Sequence, residues 1–191
     1  MTSESHYNKC QKCAAFHLLD EKRKYVIGKW EYKREKYISH IKQVHLILLG
    51  ESMPANRYFY DLDTHYARRG IRYTLKREIG VVGTDDHAFL DLLGLKGIIL
   101  LDCAVCPLGH LSTNKEKRAA ATYCFLTINH IFLERYPVVP IATIFPSNRG
   151  YLINKIPTNI LNRVVGEFSF SNQKGLNELY EKVKQRQLPV E

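Results

Sequence analysis

The sequence predicts an α/β protein with three layers, α/β/α, in which helices cover both faces of a central, mostly parallel sheet of about four strands. Short apolar runs bounded by glycine or proline alternate along the chain with stretches whose apolar residues recur every three or four positions. The length of 191 residues is that of one domain of ordinary size. Hydrophobic residues make up 45% of the chain, which agrees with a full globular core.

The chain is strongly basic, with 28 Lys and Arg against 19 Asp and Glu and a formal net charge of +9. This balance favours a polyanionic partner, and nucleic acid is the leading candidate. No apolar run approaches the roughly 20 residues of a membrane-spanning helix, and the N-terminus has no secretory pattern. We therefore expect an intracellular protein, cytoplasmic and nucleoid-associated, that binds DNA and no membrane. The oligomeric state stays open, with a monomer favoured.

Residues 1–43 are expected to form the N-terminal part of the single domain, with a cysteine pair followed by a basic helix. Between residues 20 and 42 the apolar residues recur at spacings of four and seven, which predicts an amphipathic helix. We interpret its basic side as a solvated surface in preference to a DNA contact. The apolar residues are Val26, Trp30, Tyr37 and Ile41, and the basic ones are Lys22, Arg23, Lys29, Lys33, Arg34 and Lys36.

The first strand is predicted at residues 44–49, an apolar run too short for a buried helix. Gly50, Glu51 and Ser52 follow it, and ligands of parallel sheets gather at the carboxyl ends of strands. The aromatic residues 58–60 come soon after, and a carboxylate with stacking rings suits a flat polar ligand such as a nucleobase. Taken alone, the aromatic residues are more typical of a core, and the carboxylate could be a helix cap or an ion-pair partner.

Two helices are predicted between the first and second strands. Asp63 or Thr64 can cap the first, and Gly80 ends it. Thr84 caps the second, which Gly94 closes. The apolar residues that predict them are Ile71, Leu75 and Ile79, then Phe89, Leu90, Leu92 and Leu93. The first helix also carries basic residues, candidates for phosphate contacts, at Arg68, Arg69, Arg72, Lys76 and Arg77.

The second half of the chain supplies three more strands. The second strand is predicted at residues 97–101, and Asp102 lies at its carboxyl end. The third and fourth strands are predicted at residues 138–144 and 163–168. A capping box of Thr113 and Glu116 opens a long helix before the third strand, which Pro137 stops. Its apolar stripe is Ala120, Cys124, Ile128 and Ile131. A weaker helix, interrupted by Pro157, is predicted at residues 151–161, and a final helix at residues 176–183.

Five cysteines, an odd number that includes two C-x-x-C pairs, indicate reduced thiols or metal ligands in preference to disulfides. Cys10-x2-Cys13 together with Cys103-x2-Cys106 has the spacing of a four-thiolate zinc site. The plain alternative is that Cys103 and Cys124 are core residues, where free cysteine is common.

Several of these stretches together resemble the uracil-DNA glycosylase superfamily. Leu49-Gly50-Glu51-Ser52-Met53-Pro54 is similar to its first motif, and Leu101-Asp102-Cys103-Ala104-Val105-Cys106-Pro107 to the end of its second strand. The order of the later helix and strands agrees, and Phe168-Ser169-Phe170-Ser171-Asn172-Gln173 takes the place of the last motif. The resemblance spans roughly residues 44–183. It implies a glycosylase that hydrolyses the N-glycosidic bond of a deaminated or damaged base in DNA.

The resemblance also implies roles for single residues. Glu51 would orient or deprotonate water, Asp102 would read or help expel the base, and Phe59 or Tyr60 would stack on it. Many members carry a histidine in the last motif that stabilises the leaving base; here Asn172, or a backbone N–H beside it, would take that role. Many members also have Asn where Asp102 stands, and an ionised Asp only accepts hydrogen bonds, so a different base or a protonated Asp is needed. The implied base-binding residues are Gly50, Ser52, Phe59, Tyr60 and Ser171.

Iron–sulfur members of the family place two cysteines near the N-terminus, one before a proline after the second strand and one in the next helix. Cys10, Cys13, Cys106 and Cys124 match that order, so the resemblance implies a 4Fe-4S cluster, with zinc or no cofactor as alternatives. Two other functions stay open. One is a nucleic-acid-binding module of the same fold that has lost the chemistry, and the other is a hydrolase of free nucleotides.

Overall fold

The structure is a computed structural model of the 191-residue chain. It describes residues 10–52, 58–63, 71–83, 85–108, 113–129, 133–144, 156–167 and 181. Within them, four strands form one sheet in the order β2-β1-β3-β4, and every neighbouring pair is parallel, which confirms the predicted α/β fold. The strands are β1 Leu46–Ser52, β2 Ile98–Ala104, β3 Ile141–Thr143 and β4 Val164–Glu167.

Helices pack around this sheet. All seven residues of β2 and the first five of β1 are buried, and because successive side chains of a strand point to opposite faces, both faces of the sheet are covered. Among the described residues, none of the helices combines the length and the apolar character needed to cross a membrane. The helices are α1 Ala14–His17, α2 Glu21–Ile38, α3 Ile71–Glu78, α4 Asp86–Leu95, α5 Asn114–Cys124 and α6 Thr158–Leu161.

β1 is longer than the sequence indicated. The prediction ended it at residue 49, but its ladder with β2 continues through Gly50, opposite Asp102, and Ser52, opposite Ala104. The extra residues therefore belong to the strand and not to a loop after it.

α2 differs from its prediction in length and in the face that it buries. Asp20 caps it by accepting a 2.7 Å hydrogen bond from the backbone N–H of Arg23, and the helix ends at Ile38, before the predicted residue 42. Arg34, expected on the solvated side, is fully buried, because it lies among charged and polar partners described below. The buried residues are Ile27, Trp30, Glu31, Arg34 and Ile38.

Polar and glycine residues end these helices largely as predicted, with two shifts. Gly80, at φ +77°, makes the turn after α3, but the N-cap of α4 is Asp85, whose side chain accepts 2.8 and 3.0 Å hydrogen bonds from the N–H groups of residues 87 and 88. Gly94 lies inside α4, and the left-handed turn into β2 is made by Gly97, at φ +62°.

In the second half of the chain the capping box is confirmed, since Thr113 and Glu116 bond each other's backbone N–H groups at the start of α5. The helix then widens into a π-helical segment, Phe125–Asn129. β3 is shorter than predicted: Val138 is 84% exposed, and Pro140 has no N–H to give to the ladder. β4 agrees with its prediction, and α6 begins only after Pro157.

Several predictions fall on residues outside the described ranges. These are Thr84, residues 151–155 of the helix predicted at 151–161, all but one residue of the helix at 176–183, and the last motif at 168–173.

Candidate functional site

Gly50 and Asp102 are paired across β1 and β2, near the carboxyl ends of both strands. A Cβ atom built on Gly50 would collide with Asp102 Oδ1 and lie 3.5 Å from its Cγ. The Asp102 carboxyl group therefore leans over the β1 backbone, into space that exists only because residue 50 has no side chain.

The Asp102 side chain is buried, with 6% of the residue exposed. Burial raises the pKa of this carboxyl group from its usual range to about 7, while the positive charge of Arg34 acts in the opposite direction. Protonated and ionised forms therefore coexist near neutral pH. The protonated form has a donor as well as acceptors, the combination that an asparagine amide offers at such a position.

Arg34 lies in the core beside this carboxyl group, with no exposed surface. Burial alone would lower the pKa of Arg34, but neighbouring groups, Tyr58 and Glu31 foremost, raise it. Its Nε lies 3.6 Å from Glu35 Oε1, and Asp102 is a further negative partner. The site therefore contains a buried cation that the sequence analysis missed. The available signal was its four-residue spacing from Trp30 and Ile38, which places all three on one helix face.

Glu51 and Ser52 end β1 and are both partly exposed. Because strand side chains alternate, Ser52 leaves β1 on the same face as Asp102, and Glu51 leaves it on the other. The structure therefore places Gly50, Ser52 and Asp102 on one face. Glu51 and Asp102 therefore lie on opposite faces of the sheet, and both can reach one ligand only at the carboxyl ends of β1 and β2.

Phe59 and Tyr60 are core residues, 2% and 4% exposed. The Tyr60 hydroxyl donates a 2.9 Å hydrogen bond to the carbonyl oxygen of Leu100 and accepts a 2.7 Å hydrogen bond from the N–H of the same residue. The two rings meet edge to face at 4.9 Å, and Tyr58, next to them, stacks on Trp30 at 5.2 Å. In this arrangement neither Phe59 nor Tyr60, the two residues predicted to stack on a base, exposes a ring face to a ligand.

Arg72 is also buried, with no exposed surface, so the predicted phosphate contact at this residue is wrong. Its guanidinium group donates to the carbonyl oxygens of Phe59, at 2.5 Å, and Asp61, at 3.2 Å, and pairs with the carboxylate of Asp86. Through these bonds Arg72 links α3 and α4 to the turn at residues 58–61, which we call the aromatic turn. Of the other predicted site residues, Arg68, Arg69, Ser171 and Asn172 lie outside the described ranges.

The four cysteines singled out for a cluster line one small cavity of about 10 Å³, together with Phe16 and Tyr123. They come from the N-terminal segment, the turn after β2 and the end of α5: Cys10, Cys13, Cys106 and Cys124. The Cys124 sulfur also accepts a 3.2 Å hydrogen bond from the N–H of Val105. The fifth cysteine, Cys103, is buried in β2 and is not part of this lining.

The four thiols are buried and come together around one cavity. Burial raises the pKa of Cys10, of Cys124 and of Cys106, the last to about 12, so the thiols stay protonated unless a metal supplies positive charge. In the described part of the chain, no three His, Cys, Asp or Glu side chains are grouped so that they could hold a metal ion. A 4Fe-4S cluster is held by four cysteine thiolates, so the four thiols match it in donor type and number.

Two groups of functional side chains thus stand out in the described residues. One is the carboxyl edge of β1 and β2, with Asp102 over Gly50, the buried Arg34 as a positive neighbour of Asp102, and Glu51 at the end of β1. The other is the buried thiol set. No family model matches the sequence, and the chain matches neither a curated protein nor a solved structure.

Proposed function

We propose that the protein is a base-excision glycosylase, which hydrolyses the N-glycosidic bond of a deaminated or damaged base in DNA. The observation that carries this proposal is the buried Asp102 carboxyl group over Gly50, at the carboxyl ends of two adjacent parallel strands. Ligands of open α/β sheets bind at this edge. The motifs around Glu51 and Asp102 and the parallel order of the strands support the same activity.

The chemistry assigned to this edge begins with a base swung out of the DNA stack. The protonated Asp102 carboxyl group donates one hydrogen bond to the base edge and accepts another. Glu51 orients a water molecule and takes its proton as the water oxygen bonds to the sugar carbon. The carbon–nitrogen bond breaks, its electron pair leaves with the base, and Asp102 stabilises the departing base by hydrogen bonding.

The missing histidine of the last motif makes this a slow enzyme. Removing one preorganised donor from a comparable site lowers the rate by about 10²–10³. Asn172, or a backbone N–H beside it, is the proposed replacement donor.

Cys10, Cys13, Cys106 and Cys124 are proposed to hold a 4Fe-4S cluster. When bound, the cluster supplies a covalent cross-link and a redox-active centre. The chain's own contribution is to bury the four thiols and to join the N-terminal segment to the end of β2 and to α5.

One observation favours a second candidate, a nucleic-acid-binding module without chemistry. Phe59 and Tyr60 are packed in the core, where they cannot stack on an extruded base. Excision would then depend on another ring or on none.

Base release from labelled oligonucleotides tests the proposal. Single-stranded and duplex oligonucleotides that carry uracil, hypoxanthine or xanthine are incubated with the protein, and alkali then cleaves the strand wherever a base has been lost. We expect cleavage at one or more of these bases. DNA binding without cleavage at any of them would favour the binding module, and hydrolysis of deoxynucleoside triphosphates alone would favour the free-nucleotide hydrolase.

A further inference from the structure

The outer face of α2 carries an exposed stripe in which lysine and tyrosine alternate. Both tyrosines are large exposed aromatics, with Tyr25 74% and Tyr32 68% accessible. The three lysines between and beside them are exposed as well. We call Lys22, Tyr25, Lys29, Tyr32 and Lys36 the Lys–Tyr stripe.

The five residues follow one another at spacings of three, four, three and four. At 3.6 residues per turn these spacings keep all five within an arc of about 80°. The arc lies opposite the buried face that contains Trp30 and Arg34. With a rise of 1.5 Å per residue, the two tyrosines stand about 10 Å apart along the helix.

Gly28 lies on the helix surface between the two tyrosines, three residues after Tyr25 and four before Tyr32. A Cβ built on it would meet nothing within 4 Å, so packing does not require a glycine there. Glycine destabilises a helix interior relative to alanine. Its effect here is an open recess of about 430 Å³ beside Tyr25 and Lys29, next to an exposed ring.

The stripe is positive throughout. Among the described residues, no carboxylate lies within ion-pair distance of Lys22, Lys29 or Lys36. The nearby acidic side chains of α2 are engaged elsewhere, Glu21 with Lys24 at 2.7 Å and Glu35 with Arg135 at 2.8 Å.

The stripe ends at a larger cavity of mixed charge. Tyr32 and Lys36 line this cavity of about 960 Å³, whose other charged lining residues are Lys33, Lys42, Asp63 and Asp91. This cavity borders the residues that enter β1, away from the carboxyl edge where Asp102 lies.

We propose that the Lys–Tyr stripe is a binding track for single-stranded nucleic acid, in which the lysines contact phosphates and the tyrosine rings stack on bases. Positively charged grooves with aromatic platforms bind single strands without sequence preference. A second helix would bind poorly to the Lys–Tyr stripe, because helix packing there would bury the charges of three lysines. In a duplex the base faces are covered by their neighbours, so ring stacking favours the single strand. The track needs no catalysis, so it goes beyond the proposed glycosylase.

Fluorescence anisotropy with a labelled oligothymidylate tests the track on the full chain. Tyr25→Ala and Tyr32→Ala should each weaken binding by about 5- to 150-fold, the effect of losing one stacked base, whereas Tyr25→Phe should bind like the wild type. Lys29→Gln should lower the slope of log affinity against log salt by about 0.7. Lys115→Gln makes the same change of charge at an exposed residue of α5, and it should leave this slope almost unchanged.

Gly28→Gln separates binding from folding. The new side chain projects into the recess beside Tyr25 and favours the helix, so affinity should fall while the thermal midpoint stays equal or rises. The proposal is overturned if both tyrosine-to-alanine variants bind like the wild type, if Lys29→Gln and Lys115→Gln behave alike, or if the duplex of the same oligonucleotide binds more tightly. Base release, assayed separately, has no part in these readouts, so the glycosylase proposal can fail while the track stands.

Discussion

The Asp102 carboxyl group on β2 fills the space over Gly50 on β1 that any other residue would need for its own side chain. One substitution therefore tests whether the carboxyl group stands where the structure places it. Gly50→Ala forces the Cβ against Asp102 Oδ1, and overpacking of this kind costs about 1–3 kcal/mol. We expect that loss in the free energy of unfolding, measured with urea. Gly28→Ala is the matched control, because its Cβ meets nothing and the helix gains about 0.5–1 kcal/mol. Equal stability of Gly50→Ala and the wild type would contradict the position of Asp102.

The raised pKa of Asp102 makes the stability of the protein depend on pH. The carboxyl group titrates at about 7 in the folded protein and near 4 in the unfolded chain, so between these values the folded state holds more protons. Stability should therefore fall as pH rises from 4 to 7, by up to roughly 4 kcal/mol at about 1.4 kcal/mol per pKa unit.

Asp102→Asn should flatten this dependence, because the amide does not titrate. Urea unfolding of wild type and variant at a series of pH values gives the difference, in which the other titrating groups cancel. Parallel curves for the two proteins would show that Asp102 ionises normally.

Arg72 should matter for stability and not for DNA. It is fully buried and donates to carbonyl groups of residues 58–61 and to Asp86, so Arg72→Ala leaves those carbonyl groups without their donor and Asp86 with Lys76 as its remaining partner. Removing one partner of such a buried pair costs about 3–5 kcal/mol. Arg77→Ala, at a partly exposed residue of the same helix, should cost about 0–1 kcal/mol. Similar unfolding free energies for the two variants would place Arg72 outside the core.

The proposed 4Fe-4S cluster predicts which cysteine substitutions remove iron. Protein purified without oxygen should be brown and contain iron and sulfide. Cys106→Ser should lose both, since its sulfur lines the shared cavity, whereas Cys103→Ser should keep them, since Cys103 lies apart from the lining residues in β2. Iron analysis and the visible spectrum give the result. Loss of iron from Cys103→Ser but not from Cys106→Ser would contradict the assignment, and bound zinc in place of iron would favour the zinc alternative.

The fold could be predicted from local patterns because each strand is a continuous apolar run and most helix ends carry their own signals. The capping box of Thr113 and Glu116 and the glycine after α3 are such signals. The end of β1 could not be located in this way. Its last three residues are held by a ladder with β2, about 50 positions later in the chain, which no local pattern reports.

The candidate site was harder to predict, for a related reason. Periodicity reports which face of a helix is apolar, but it does not report the polar partners that allow an arginine to be buried. Arg34 has Glu31 and Glu35 of its own helix and Asp102 of β2 as negative neighbours, and Arg72 pairs with Asp86 of α4. The aromatic turn illustrates the same point, because only the fold shows that the hydroxyl group of Tyr60 bonds to Leu100 within the core. The cysteine order was more informative, since four thiols from three separate segments line one cavity.

The central claim is that the carboxyl edge of β1 and β2 breaks N-glycosidic bonds, and single-turnover base release by wild type and Glu51→Gln tests it most directly. The substitution keeps the shape of residue 51 but removes the group that takes the proton of water, which contributes typically about 10²–10⁴ in rate. We predict base release by the wild type, a loss of that size in Glu51→Gln, and equal DNA affinity of the two proteins by anisotropy. Equal rates of base release, or none by the wild type on any deaminated base, would contradict the claim.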